Sequence, residues 1–345
     1  MLLLQQPKKE KWSVFIEVTV LLCAIMSPLL MHHYQVTLKK NLHEEMSVMN
    51  LTNSRLPNHH PHLLVFARVP KTASQTVNVL LTHLNDTNQF KLFDSLDGML
   101  DAGQDSEYAY ETDVHQRQRN IMAFIQQGGQ GTGAIYSRHQ NFWDFSEFHQ
   151  EKHQPLYFSF VRHPIERAIS WYYYIRSPAY QMTPDGQNID TTLSVRALKE
   201  SFEDCVLNGR PECQFNPGMS IHRAGNSHSS QLAFFCGHAS FCDQFESDEL
   251  YNQAVENFNR HFPVVGVTEL FNQSVRVLEA FLPRYFEGAS RVVQNDAIST
   301  NRNAYKPPVS AYIRSLLARN LSKEIDFYHL ARQRLVKQYK SLQLP

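Results

Sequence analysis

The sequence predicts an α/β domain with a central, largely parallel sheet flanked by helices, behind an N-terminal transmembrane helix. Two strand–turn–helix stretches and one apolar N-terminal run carry that prediction. The first stretch is LLVFARVPKTASQTVNVLL, residues 63–81, and the second is PLYFSFVRHPIERAISWYYYI, residues 155–175. Strands alternating with helices imply parallel pairing, because a crossover helix returns the chain to the same end of the sheet. The apolar run is WSVFIEVTVLLCAIMSPLLM, residues 12–31, about the length that crosses a bilayer.

Taken in order, residues 1–11 form a short tail with Lys8, Lys9 and Lys11 directly before the apolar run. The positive-inside rule places this tail in the cytosol and everything after residue 31 in the lumen, as a single-pass type II protein. A cleaved signal peptide is the alternative, but the run is long for an h-region and no clear small-x-small site follows. Residues 32–61 are polar and without periodicity, as in a stem; His59, His60 and His62 are read there as solvated rather than as metal ligands. Residues 62–345 form the globular domain.

Within that domain LLVFARV (63–69) reads as a buried strand. Helix periodicity follows over residues 74–84, where Val77, Leu80, Leu81 and Leu84 share a face. The second strand covers about 156–161, the turn is Arg162-His163-Pro164, and the helix after it aligns Ile165, Ala168, Ile169 and Tyr172. Proline suits the first turn of that helix. PVVGV (263–267) is a third strand, and helices at about 270–283 and 308–340 close the chain. Trp171 to Tyr174 are assigned to the core.

Cysteines and sequons agree with a lumenal domain. Cys23 lies in the apolar run, and the remaining four, Cys205, Cys213, Cys236 and Cys242, permit three pairings. Short spacing favours Cys205–Cys213 and Cys236–Cys242, which an oxidising compartment would preserve. Acceptor sequons stand at Asn50, Asn85, Asn272 and Asn320. Lysine plus arginine and aspartate plus glutamate each number 33, so no global charge argues for nucleic acid.

In a parallel sheet, ligands bind at the carboxyl ends of the strands, where Lys71 and Arg162 both fall. The turn after the first strand offers helix-start N–H groups, the Lys71 charge and the hydroxyls of Thr72, Ser74 and Thr76, a suitable set for an anion. A Walker loop would need two glycines that are absent, and no paired acidic motif for magnesium stands out. Taken alone, the stretch is equally a helix start with a surface lysine. Arg162, with Ser170 and Arg167 on the following helix, makes a second anion site, unless Arg162 simply pairs with Glu166. Two such sites on adjacent turns fit a nucleotide with phosphates at both ends of its ribose. HQEKH (149–153) has its glutamate misplaced for a zinc motif, and no G-x-S-x-G elbow occurs.

These segments resemble the Golgi glycosaminoglycan uronyl and heparan sulfate 2-O-sulfotransferases, including Pipe-type members. RVPKTAS (68–74) and FVRHPIERAISWYYY (160–174) carry the resemblance, with RHQNFWDFSEF (138–148), EDCVLNGRPEC (203–213), FFCGHASFC (234–242), VVGVTEL (264–270) and FLPRYFEGA (281–289). It spans roughly residues 63–335. The resemblance implies a P-loop-like sulfotransferase fold and 3′-phosphoadenosine 5′-phosphosulfate (PAPS) as donor, with no metal. It implies that Lys71, with the amides and hydroxyls of Thr72, Ala73, Ser74, Gln75 and Thr76, holds the 5′-phosphosulfate. Arg162 and Ser170 match the 3′-phosphate site, His139 the catalytic base, and Arg68 an arginine near the transferred group. Arg302 and Lys306 match a loop that covers the nucleotide.

The acceptor region departs from that pattern. Residues 91–113, KLFDSLDGMLDAGQDSEYAYETD, hold seven acidic residues and one lysine, where heparan-specific members are basic. Residues 177–192 are similarly poor in arginine and lysine. Like charge repels a polyanion, so a chondroitin, dermatan or glycoprotein glycan is expected ahead of heparan. A homo-oligomer stays open. Two alternatives also remain at this point: a catalytically weak relative that binds nucleotide or glycan, and a lumenal kinase with a divergent phosphate loop.

Overall fold

The computed structural model describes residues 59–94, 133–145, 154–177, 199–221, 230–295 and 306–342, all in one compact unit covering residues 57–345. The apolar run at 12–31, the acidic residues beyond Asp94 and the HQEKH stretch lie outside the described residues. Among the described residues, no helix is long and apolar enough to cross a membrane.

The chain folds as an α/β unit around one five-stranded sheet, with every pairing parallel. Its strands are β1 (His59–Ala67), β2 (Phe90–Phe93), β3 (Gly133–Arg138), β4 (Gln154–Val161) and β5 (Val264–Val267), in spatial order β2-β3-β1-β4-β5. Strand β1 is central because it is apolar on both faces: residues 63–67 are all buried. It is covered by α1 (Ser74–Leu84), whose Val77, Leu80, Leu81 and Leu84 are buried on the predicted face. Phe66 of β1 and Phe158 of β4 stack with ring centroids 4.4 Å apart. In β5, a side chain at Gly266 would collide with the Phe160 ring, so only glycine lets the strands close up there.

After β4 come α2 (Pro164–Ile175), α3 (Phe202–Leu207), α4 (Leu232–Cys236) and α5 (Asp248–His261). Beyond β5 follow α6 (Phe271–Phe281), α7 (Pro283–Phe286), α8 (Ala289–Asn295), α9 (Ala311–Asn320) and α10 (Ser322–Ser341). Both short-range cysteine pairs are joined. Cys205–Cys213 ties α3 to the turn Pro211–Cys213, and Cys236–Cys242 ties the end of α4 to the turn Ser240–Asp243.

The structure differs from the sequence expectation in several places. The first strand begins at His59, inside the stretch read as stem, and stops at Ala67, so Arg68 and Val69 belong to the turn. The single helix expected over 308–340 is two, α9 and α10, separated at Leu321. The break has a visible cause. The Glu246 carboxylate accepts bonds from the backbone N–H of Lys323 (2.7 Å) and Glu324 (3.0 Å), which starts a new helix there. Strands β2 and β3 and helix α5 had no counterpart in the sequence expectation. They complete the sheet edge and the layer beneath it.

Order and connection fix where a crevice forms. From β1 the chain leaves through α1 toward β2, whereas from β4 it leaves toward β5 on the other side. Connections diverging from adjacent strands open a crevice at their carboxyl ends, here beyond Ala67 and Val161.

Candidate functional site

The turn leaving β1 has a backbone that a glycine-rich loop would normally supply. Lys71 has φ 66° and Ala73 φ 67°, both left-handed, with Thr72 between them. Alternation of this kind points successive N–H groups into one concavity, a nest for an anion. A non-glycine residue in this conformation costs on the order of 1–2 kcal/mol, so the surroundings must hold it. Thr72 is fully buried and its hydroxyl donates to the Val69 carbonyl at 2.8 Å, pinning the turn from inside. Helix α1 then begins behind Ala73, which makes no side-chain cap bond, and its first turn has no acidic residue. The initial N–H groups and the positive end of the helix dipole therefore suit an external anion.

Three cations gather at this concavity. The Arg162 guanidinium, at the end of β4, donates from Nη1 to the Lys71 carbonyl at 3.3 Å. Burial, then the charges of Lys306 and Arg162, lowers the Lys71 ammonium to about 8. Burial and Arg162 also lower Lys306, and burial lowers Arg162 against the opposing pull of Glu269 and Glu166. Burial disfavours all three charges, and like charge adds to it at Lys71 and Lys306, so a bound phosphate would restore the charged forms. Glu166 is not the Arg162 partner that the sequence allowed: it pairs with Arg314 at 2.6 Å. Beneath Lys71 lies the Tyr174 ring, 3.7 Å from Nζ to the ring centroid. Tyr174 was assigned to the core, and that holds for its buried neighbours Tyr172 and Tyr173; the end of the helix instead reaches the site.

His139 follows β3, on the same edge. Its Nδ1 lies 2.7 Å from the Arg68 carbonyl oxygen. A carbonyl can only accept, so in this bond Nδ1 carries the proton and the neutral ring presents Nε2 as its basic nitrogen. The Arg68 N–H in turn donates to the Arg138 carbonyl at 2.8 Å, which continues the β1–β3 pairing one residue past the strands. The buried Arg68 side chain reaches Gln75 Oε1 at 3.5 Å, joining the histidine side of the cleft to the start of α1.

The structure thus gathers Arg68, the residues 71–76, His139, Arg162 and Lys306 at one end of the sheet. Ser170 lies on α2 and is buried, while Arg302 is outside the described residues. Arg167, offered by the sequence as a further ligand, is buried at 1% exposure, and that burial lowers its guanidinium against the opposing pull of Glu324. Among the described residues, no cluster of three or more histidine, cysteine or carboxylate groups could hold a metal. Of the sequons, Asn272 is exposed at the start of α6, Asn85 and Asn320 are half-buried, and Asn50 is outside the described residues. Sequence reading missed Gln231, whose side chain bonds the backbone of Arg162, and Glu324, whose carboxylate accepts from the Gln231 N–H; nothing local to either residue signals that role.

Comparisons with known proteins identify the family. A family model described as Sulfotransferase family matches residues 58–331. The Drosophila melanogaster protein named uronyl 2-sulfotransferase homolog pip is 34% identical over 284 residues, covering 80% of this chain and 53% of that protein. A second Drosophila protein, named heparin sulfate O-sulfotransferase, is 32% identical over 217 residues, covering 61% and 57%. The human protein named heparan sulfate 2-O-sulfotransferase 1 is 27% identical over 277 residues, covering 78% and 69%. The chain spans little more than half the length of the two Drosophila relatives it matches.

Proposed function

Because the chain belongs to the sulfotransferase family, we propose that it transfers sulfate from PAPS to the 2-hydroxyl of a uronic acid in a glycosaminoglycan or related glycan. The observation that carries this reading is the nest of residues 71–73 meeting three cations, with an oriented histidine on the same sheet edge. The nest and α1 hold the 5′-phosphosulfate, and Arg162 with Ser170 holds the 3′-phosphate. Lys306, together with Arg302, closes over the nucleotide.

In the reaction the acceptor oxygen forms a bond to sulfur while the bond from sulfur to the 5′-phosphate oxygen breaks. His139 Nε2 takes the hydroxyl proton, a contribution typically worth ~10²–10⁴-fold for a placed base. The bond electrons leave with the phosphate oxygen, where Lys71 and the loop N–H groups offset the growing charge. Arg68, beside the histidine, balances charge on the sulfuryl oxygens. The products are the sulfated sugar and adenosine 3′,5′-bisphosphate. In-line transfer between two oxygens relies on positioning and charge, so no metal is required.

Location and acceptor belong to the same proposal. Residues 12–31 anchor a Golgi type II protein, residues 32–61 are its stem, and the domain from residue 62 works in the lumen. The disulfides Cys205–Cys213 and Cys236–Cys242 support an oxidising compartment. The acidic stretch 91–113 favours chondroitin, dermatan or a glycoprotein glycan over heparan. The test incubates the detergent-solubilised full chain with ³⁵S-labelled PAPS and a panel of desulfated polysaccharides, followed by disaccharide analysis. Label on the 2-position of a uronic acid is expected. Tight nucleotide binding with no label on any acceptor would favour a catalytically silent binding protein instead.

A further inference from the structure

We propose that Gln231, held by Glu324, is the positioning residue that aims Arg162 at the donor nucleotide. The inference rests on the donor reading above and adds residues that the reaction itself does not touch.

Arg162 occupies an awkward place in the backbone. The β4–β5 ladder ends with Val161 opposite Val267, so the next residue has left the sheet. Its N–H and carbonyl would lack ladder partners just where the guanidinium has to be steady. Gln231 supplies both. Its Oε1 accepts from the Arg162 N–H at 2.9 Å, and its Nε2 donates to the Arg162 carbonyl at 2.9 Å. A side-chain amide thus acts as one more strand residue, 69 positions away in sequence. One bond holds the peptide plane before Arg162 and the other the plane after it, so together they fix the residue from both sides.

Gln231 is itself fixed from behind. It is fully buried, and its backbone N–H donates to Glu324 Oε2 at 3.0 Å. The other Glu324 oxygen accepts from the Leu232 N–H (3.1 Å) and the Ser230 hydroxyl (2.6 Å). Glu324 is fully buried too and stands in the first turn of α10, which Glu246 caps. Gln231 is also the N-cap residue of α4, yet its side chain makes no cap bond to that helix. Glu324 satisfies the helix start instead, which leaves the amide available for Arg162. The line of contacts runs from Glu246 through α10 to Glu324, then Gln231, then Arg162, and it links the C-terminal helix to the donor site.

The test measures dissociation constants of adenosine 3′,5′-bisphosphate and adenosine 5′-monophosphate on the full chain, by calorimetry. Their ratio reads the grip on the 3′-phosphate, which a general loss of stability would not change. The wild type is expected to prefer the bisphosphate. Gln231→Ala should shrink that preference about tenfold while leaving the monophosphate within about twofold. Gln231→Glu keeps the acceptor for the Arg162 N–H and loses the donor to its carbonyl; it should give an intermediate ratio, and serves where the alanine variant does not fold. In an Arg162→Ala background, Gln231→Ala should change the ratio no further. A wild type that binds both nucleotides equally overturns the donor reading, and this inference with it. A preference as large as the wild type's in Gln231→Ala or Gln231→Glu, or parallel weakening of both nucleotides, overturns this inference alone.

Discussion

Lys71 ties the electrostatics of the site to a measurable pH dependence. Burial, Lys306 and Arg162 bring its ammonium down to about 8, from the usual lysine value of 10.5. Two linked effects of opposite sign follow. The empty domain binds fewer protons than the unfolded chain between about 8 and 10.5, so this lysine adds stability as pH rises through that window. Nucleotide binding runs the other way, because a polyanion favours the protonated lysine. Affinity for adenosine 3′,5′-bisphosphate should be level below pH 8 and fall above it, approaching tenfold per pH unit. Lys71→Arg should flatten that fall, since a guanidinium stays charged throughout. Titration calorimetry from pH 6.5 to 9.5 checks it, and a wild-type affinity level up to pH 9.5 would refute the assignment.

At the scale of the element, the turn between β1 and α1 holds, without glycine, the left-handed backbone that the proposed phosphate loop needs. Thr72 anchors the turn internally, Arg162 holds the Lys71 carbonyl, and Ala73 takes the left-handed backbone with an unbranched side chain of one carbon. Replacement at Ala73 therefore reads the loop directly. Ala73→Gly should leave unfolding free energy within about 1 kcal/mol and keep nucleotide affinity. Ala73→Val places a β-branched side chain at φ 67° and should lower stability by about 1–3 kcal/mol, with weaker nucleotide binding. Urea unfolding with and without nucleotide makes the comparison. Equal behaviour of the two variants would mean that the turn does not need its left-handed residue.

For the whole molecule, local signals and long-range ones divided cleanly. Helix α1 was legible to the residue because one apolar face spells it out, and the two turns bearing Lys71 and Arg162 were legible because each follows a predominantly apolar run, LLVFA and LYFSFV. Strand β2 was not, since FKLF has four residues, puts a lysine among its apolar ones and pairs only at the sheet edge. The break between α9 and α10 was hidden because its cause, Glu246, lies 75 residues before Leu321. Gln231 and Glu324 escaped for the same reason: each acts on backbone far away in sequence. Tyr174 was misread because an aromatic run near a strand normally packs inward, and only the last ring turns toward Lys71. The two segments proposed to hold the donor thus stand out in the sequence, whereas the framework around them required the fold.

The central claim is that this framework turns a bound phosphosulfate and an oriented histidine into a transfer reaction. Sulfate transfer by the His139→Ala variant, measured beside its affinity for adenosine 3′,5′-bisphosphate, tests that claim most directly. Transfer should fall by ~10²–10⁴-fold while nucleotide affinity stays within about twofold, since the imidazole is held by the Arg68 carbonyl and stands outside the phosphate nest. Near-normal transfer, or a loss of nucleotide binding equal to the loss of rate, would contradict it.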